Sequence, residues 1–225
     1  MAKPFAWSYS ALTAFETCPK RYKLTRLTKQ VVEKQTEATL WGNRVHKAME
    51  HRVGKATPLP DTMEQYEAIA APVAAMRKTG ANIQVEQKLA LNPNFRPTTY
   101  FAPDVWLRVV ADVVVEKGKN AVVLDWKTGK KKPESAQLQL TAAALFAAKP
   151  YIQRITCSFV WLLDGTHTTE KFTCDDAPSI WQEFMPRVKR MEMAIKEDKM
   201  PPNPSGLCRS WCPVGRKLCD HCGQD

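Results

Sequence analysis

No apolar run in this 225-residue chain approaches the roughly 20 residues that a bilayer-spanning helix needs, so a membrane span is excluded. Met1 to Trp7 lacks the apolar stretch of about 7 to 15 residues that marks a secretory signal, and a reducing cytoplasm is the expected location. Internal repeats and low-complexity tracts are missing too, which leaves periodicity and punctuation to organise the chain. Acid is scarce relative to base: 23 Asp plus Glu stand against 33 Lys plus Arg, a net charge of +10. That excess favours a polyanionic partner, although charge by itself does not separate nucleic acid from an acidic surface. What is present is ordinary for a folded protein, since 44% apolar residues exclude disorder as the main state and the length fits one domain with at most a small appendage. Seven cysteines in a reducing compartment read as metal or cluster ligands rather than disulfides.

A helix is predicted over residues 8–27, capped at Ser10, with Leu12 and Phe15 opening an apolar stripe. A second is predicted over 39–53, where Trp41, Val45 and Met49 recur every four residues and Gly54 ends the run. A third over 62–78 closes near Gly80. Alternation then sets in, with Ile83, Val85, Leu89 and Leu91 on one side and Gln84, Glu86 and Lys88 on the other, a strand signature. Residues 105–115 and 121–126 are nearly continuous β-branched apolar runs joined through 116–120, a hairpin buried on both faces. A helix at 135–148, strands at 154–163 and 168–172, and a helix at 177–197 follow. The pattern predicts an α/β core with an N-terminal helical part over residues 1–200 and an irregular cysteine-rich knuckle over 201–225.

The hairpin carries the sharpest chemistry. If it is symmetric about Gly118 and Lys119, facing residues have numbers that total 237, which sets Asp112 opposite Asp125. Cross-strand partners lie about 4.5 to 5.5 Å apart at Cβ, near enough for two carboxylates to hold one hard divalent cation. Lys127 lies two residues beyond Asp125 and so shares its face. Two carboxylates inside apolar strands are costly through desolvation and mutual repulsion. Bound Mg²⁺ or Mn²⁺ relieves both costs and can polarise a phosphodiester and acidify an attacking water. The lysine can orient that water or neutralise charge building on phosphate. The competing reading is structural: an Asp125–Lys127 ion pair at a strand end, with Asp112 a hairpin-edge acid. Lys130, Lys131 and Lys132 add a basic run fit for phosphate contact, or simply a solvated loop. Lys20, Arg21 and Lys23 are further candidates for the same role, and Trp7, Tyr9, Trp106 and Trp161 fit either base stacking or the core.

Asp125-Trp126-Lys127-Thr128-Gly129 resembles the Asp-x-Lys-Thr-Gly segment of the PD-(D/E)XK nucleases in their RecB-like exonuclease branch, with Asp112 as the preceding strand aspartate. Gly42-Asn43-Arg44-Val45-His46 is similar to that branch's helical Gly-x-x-x-His. By itself a lone histidine on an amphipathic helix reads as a surface residue. The resemblance implies a restriction-endonuclease-like core, a central mixed sheet flanked by helices, and a metal held by His46, Asp112 and Asp125 with Lys127 assisting the nucleophile. An imidazole ligand favours Mn²⁺ somewhat over Mg²⁺. Glu86 stands where the family often has a strand glutamate near the metal, or is a solvated residue paired with Lys88. Gln137 and Thr141 occupy the places of a Gln-x-x-x-Tyr helix motif whose tyrosine is absent, with Gln139 as a competing register. The implied activity is that of a metal-dependent DNA exonuclease serving phage or bacterial recombination or repair. The alternative is a non-catalytic nucleic-acid-binding protein that uses a zinc knuckle.

That knuckle rests on Cys208, Cys212, Cys219 and Cys222, with three, six and two residues between successive members. Four thiolates would suit zinc, the last two as a C-x-x-C pair, although the first gap is loose for a zinc ribbon. The segment from Ser8 through Cys18-Pro19-Lys20-Arg21-Tyr22 resembles the N-terminal part of RecB-like nucleases that carry an iron-sulfur cluster. That resemblance implies a [4Fe-4S] cluster on Cys18, Cys208, Cys212 and Cys219, with Cys222 as alternative and the tail packing with the Cys18 region. Cys157 and Cys174 are expected to be inert packing residues.

Overall fold

The computed structural model describes residues 5–133 and 135–223; Gln224 and Asp225, the end of the predicted tail, lie outside them. The main elements in chain order are α1 (Tyr9–Thr17), α2 (Pro19–Tyr22), a π-helical turn (Lys23–Leu27), α3 (Glu37–Lys55), a 3-10 stretch (Asp61–Tyr66), α4 (Glu67–Ala75), β1 (Asn82–Leu91), β2 (Leu107–Lys117), β3 (Asn120–Lys127), α5 (Ala136–Ala148), β4 (Arg154–Trp161), β5 (Thr166–Thr173) and α6 (Ala177–Lys196). They divide into two compact units, one of Met1–Ala6 and Glu37–Gln182, the other of Trp7–Thr36 and Glu183–Asp225. No helix among the described residues is long and apolar enough to cross a membrane.

The first unit is an α/β layer structure on a five-stranded mixed sheet of order β1-β2-β3-β4-β5. Neighbours are antiparallel except β3 and β4, which are parallel. A parallel pair needs a crossover, and α5 supplies it. One sheet face buries Val113, Val115, Leu124, Trp126 and Val160 against Val45, Met49 and Val53 of α3 and Ala70 and Val73 of α4. On the other face α5 buries Leu138, Leu140 and every residue from Thr141 to Phe146, so its sequence shows no polar stripe. The hairpin strands run further than the apolar pattern predicts, leaving Gly118 and Lys119 as a two-residue turn with Gly118 at φ +60°.

Three predicted helices change shape, each for a local reason. The first breaks at Cys18, whose extended backbone (φ −163°) is what the following Pro19 favours, and its cap is Ser8 rather than Ser10. The second runs on past Gly54, because that glycine is there for contact: a Cβ on it would lie 2.8 Å from Val85 Cγ2. The third divides into 3-10 turns on either side of α4, which holds Pro72, and closes on Gly80 at φ +78° as expected.

In the second unit, Glu16 and Arg187 form a two-point ion pair with both contacts at 2.7 Å. Trp7 is buried and stacks on Phe184, with ring centres 6.2 Å apart. Lys20 N donates to Pro201 O, joining α2 to the start of the tail. Leu24, Val214, Cys212, Cys219 and Cys222 form a small separate core.

Candidate active site

The site lies where β2 and β3 part. Their ladder runs from Lys117↔Asn120 to Val113↔Leu124, and every pair totals 237. Asp112 and Asp125 are the next positions, one step beyond the last ladder pair. Instead of a strand hydrogen bond, the Trp126 amide donates to Asp112 Oδ2 at 2.7 Å, which sets that carboxylate in the fork between the strands. Lys127 Nζ is 2.8 Å from Asp125 Oδ1. Gln137 closes a triangle: its Nε2 donates to Asp125 Oδ2 at 2.6 Å, and its Oε1 accepts from Lys127 Nζ at 3.0 Å. The ammonium also stands 4.5 Å from the centre of the Phe159 ring, a cation–π contact.

From the opposite face, α3 brings in His46, whose Nδ1 is 3.2 Å from Asp112 Oδ1. The helix reaches this point because Gly42 has no side chain; a Cβ there would lie 3.1 Å from Thr128 Oγ1. The spacing of Gly42 and His46 thus has two uses, one for packing and one for chemistry. Glu86 is the position opposite Asp112 in the β1–β2 register, but it drops out of the ladder with a left-handed φ of +48°.

Electrostatics at the fork are unrelieved. Burial first, and then the charge of Asp112, pushes the Asp125 carboxyl up to about 6, against the lowering by Lys127 and His46. Burial likewise raises Glu86, together with Asp112 and Glu50, offset in part by His46 and Lys47. For His46, burial disfavours the charged ring, yet the hydrogen bond and charge of Asp112, with Asp125, hold it above the usual imidazole value. Among the described residues no group of three or more His, Cys, Asp or Glu side chains is already arranged to hold a metal ion. The donor set nonetheless fits a hard divalent cation in kind: His46 contacts Asp112, the charge of Asp112 is felt at the buried Asp125, and a cation reverses the penalty that burial and like charge put on ionisation.

His46, Asp112, Asp125, Lys127 and Gln137 are therefore brought together, with Glu86 at the margin. Gln137, not Gln139, makes the contacts. Thr141, in the place of the missing tyrosine, is buried and donates to Gln137 O at 2.8 Å, so it steadies the helix turn that carries Gln137. Lys130, Lys131 and Lys132 are exposed. Glu50 was not singled out from the sequence, although it lies one helical turn beyond His46; it pairs with Lys47 at 2.7 Å. Phe159 was missed as well, since nothing in an apolar strand marks the one ring that will meet a lysine.

In the second unit Arg21 is bound to Glu33 and Lys23 to Asp198, each at 2.7 Å. Cys212, Cys219 and Cys222 are buried, and burial, with Cys212 and Cys219 beside it, pushes the Cys222 thiol up to about 12. Cys18 Sγ accepts from Arg21 N and Asn203 N at 3.5 and 3.4 Å, and Cys208 Sγ from Ser205 N at 3.3 Å. Cys222, expected to be the spare, thus sits in the buried group, while Cys208 lies outside it. Cys157 is buried as expected, but Cys174 is exposed in a turn rather than packed. Trp7, Trp106 and Trp161 all belong to the core.

The sequence model of the PD-(D/E)XK nuclease superfamily matches residues 6–220. Among solved structures, a protein designated a candidate exonuclease from Eubacterium rectale shares 13% identity with a TM-score of 0.53, over 90% of this chain and 85% of that one, a likeness of fold. SSO0001 aligns at 11% identity and TM-score 0.47 over 95% of this chain and 86% of that one. The alkaline exonuclease LHK-Exo from Laribacter hongkongensis aligns at 13% identity and TM-score 0.35 over 84% of this chain and 95% of that one. No curated protein sequence matches the chain significantly.

Proposed function

The chain belongs to the PD-(D/E)XK nuclease superfamily, and from that premise we propose that it hydrolyses DNA phosphodiesters from a strand end, using a divalent cation held at the hairpin fork. The observation that carries this reading is the set of contacts that draws Asp112, Asp125, Lys127, Gln137 and His46 together from four elements. His46, Asp112 and Asp125 would hold Mg²⁺ or Mn²⁺, with Glu86 close by. A cation there would supply Lewis-acid polarisation of the phosphodiester and acidification of a water. Lys127 is held in place by Asp125, Gln137 and Phe159, so its ammonium is fixed before substrate arrives and can neutralise charge that develops on phosphate. Gln137 anchors both ends of that pair, which restrains the lysine and the carboxylate together. The exposed Lys130, Lys131 and Lys132 follow directly after the site and supply phosphate affinity that needs no cation.

The cysteines belong to a separate part of the proposal. No disulfide joins any of the seven cysteines. Cys18, Cys208, Cys212, Cys219 and Cys222 offer soft donors for a structural centre, a [4Fe-4S] cluster or zinc. Iron with acid-labile sulfide in the purified protein supports the cluster, zinc alone the knuckle, and neither removes this part of the reading. End-processing during recombination or repair is the setting such an activity serves.

End-labelled linear DNA and covalently closed circular DNA, each incubated with Mn²⁺, Mg²⁺ or no divalent cation, test the main reading. Loss of the linear substrate only, and only with a cation, is the expected result. Equal cleavage of the circle removes the end requirement, and cleavage of neither substrate removes the hydrolytic reading.

A further inference from the structure

Residues 92–106 link β1 to β2 through a loop much longer than the roughly two to five residues usual for a hairpin, and the loop is built rather than slack. Asn92 Oδ1 accepts from the amides of Asn94 and Arg96 at 3.0 and 3.1 Å, and Thr98 Oγ1 donates to Asp104 Oδ1 at 2.8 Å. The Thr98 and Trp106 amides donate back to Ala90 O and Leu91 O at the end of β1. Phe95, at φ +57°, is held by the rings of Trp106 and Trp181, with centres 5.6 and 4.7 Å away. Arg108 Nε donates to Tyr100 O at 2.8 Å, and the charged groups of Arg108 and Lys88 each stand 5.6 Å from the centre of the Tyr100 ring.

This frame holds Phe101 80% exposed, edge-on to Tyr100 at 5.2 Å. The ordered loop thus keeps a phenyl ring in water without the gain that burial would bring. Its surroundings say what kind of partner. Lys88, Arg96 and Arg108 lie on or beside the loop, and the acid among them, Asp104, is engaged by Thr98. Distance fits as well: Arg108 and Asp112 are four residues apart on β2, about 13 Å at the rise of an extended strand.

We propose that the β1–β2 loop is a single-strand grip, in which Phe101 stacks on an unpaired base while Lys88, Arg96 and Arg108 meet the flanking phosphates. The proposal rests on the nuclease reading for the identity of its ligand, and it deepens that reading by naming a strand with unpaired bases as the substrate class. Stacking is tolerant of base identity, so the grip adds affinity without sequence preference.

Binding of a fluorescently labelled single-stranded oligonucleotide and of a blunt, hairpin-closed duplex to the full chain, without added divalent cation so that hydrolysis is silent, tests it. Phe101→Ala is expected to weaken single-strand binding about 5- to 150-fold, the range for one stacked base, with duplex binding changed less than about twofold. Phe101→Trp should restore single-strand binding, and Phe101→Leu, apolar but without a π face, should not. Thermal melting of all three variants is expected to match wild type, because the ring makes no core contact. Single-strand binding within about twofold of wild type for Phe101→Ala, full rescue by leucine, or an equal loss on the duplex overturns the proposal. The two readings fail separately. A strand bound through Phe101 but never cleaved with Mg²⁺ or Mn²⁺ leaves the grip standing and removes the hydrolytic function; cleavage with a silent Phe101→Ala does the reverse.

Discussion

At the closed end of the β2–β3 hairpin, Glu116 meets Lys149 and accepts from the Tyr151 hydroxyl at 2.6 Å, and Lys149 also donates to Gln84 at 2.8 Å. At the open end Asp125 meets Lys127 at 2.8 Å and Gln137 at 2.6 Å. The ingredients are alike: a buried carboxylate, a lysine and an amide side chain. The outcomes differ. Glu116 is surrounded by donors only, and its lysine is 16% exposed, so that network is complete within the protein. Asp125 has a second carboxylate beside it and is pushed up to about 6, while Lys127 keeps 27% of its surface open. A buried ion pair that satisfies itself is structure; one that faces another acid and is left open has capacity for a ligand. The contrast argues against reading Asp125 and Lys127 as a merely structural pair, because this same hairpin shows what such a pair looks like.

The largest expected effect separates the two ends by activity. Asp125→Ala or Asp112→Ala should lower DNA cleavage at least about a hundredfold, the scale of losing a main electrostatic contact to the reacting group. DNA binding should persist in both variants, because phosphate affinity comes from lysine and arginine; this is checked by single-turnover cleavage beside an equilibrium binding assay.

Stability should separate them in the other direction. Lys149→Met strands Glu116 without a counter-charge and is expected to cost about 3 to 5 kcal/mol, read as a fall in melting temperature of about 2 to 4 °C per kcal/mol at this chain length. Lys127→Met should cost less, because Asp125 is already pushed up to about 6 and can take a proton in place of its counter-charge, while cleavage is lost. A large melting shift for Lys127→Met with activity retained would erase the distinction.

A smaller effect comes from protons. In the metal-free protein the folded pKa of Asp125 lies above its unfolded value of 3.8, so its contribution to stability is fully present below about pH 4 and is lost as pH rises through about 6. His46, also raised, acts in the same direction: its contribution is full below the unfolded value near 6.5 and is lost as pH rises through the folded one. Protons and cation then compete for the same side chains, and Mn²⁺ affinity measured by calorimetry should be weaker at pH 5.5 than at pH 7.5. The smallest effect concerns the approach of α3. Gly42→Ala puts a Cβ 3.1 Å from Thr128 Oγ1 and should reduce cleavage by a few-fold without lowering the melting temperature, since alanine favours the helix.

Much of the site is legible in the sequence because a hairpin register is arithmetic. Once Gly118 and Lys119 are taken as the turn, Asp112 and Asp125 must approach, and the observed ladder keeps that register to the last pair before them. Hidden from the sequence was the fork itself, because a side chain that accepts the Trp126 amide leaves no trace in periodicity. Phe159 was equally silent, since its lysine comes from another strand, and Glu50 bears on the fork only through its charge on Glu86. Among the helices, local rules were present but outvoted. Gly54 carries the signature of a helix end and instead serves close packing against Val85, and the apolar stripe that crosses Cys18 conceals the break that Pro19 imposes. The exposed Phe101 is invisible in composition, because exposure is a property of the frame around it.

Binding of Mn²⁺ to the full chain, followed by calorimetry or electron paramagnetic resonance for the wild type and for the Asp112→Asn, Asp125→Asn double variant, tests the central claim most directly. Wild type should bind the ion at the fork, release protons as it does so below about pH 6, and lose that binding in the double variant, whose melting temperature without metal should be equal or higher because the buried repulsion is gone. Equal Mn²⁺ affinity in the two proteins would contradict the account and return Asp112 and Asp125 to the structural role that Glu116 fills at the other end of the hairpin.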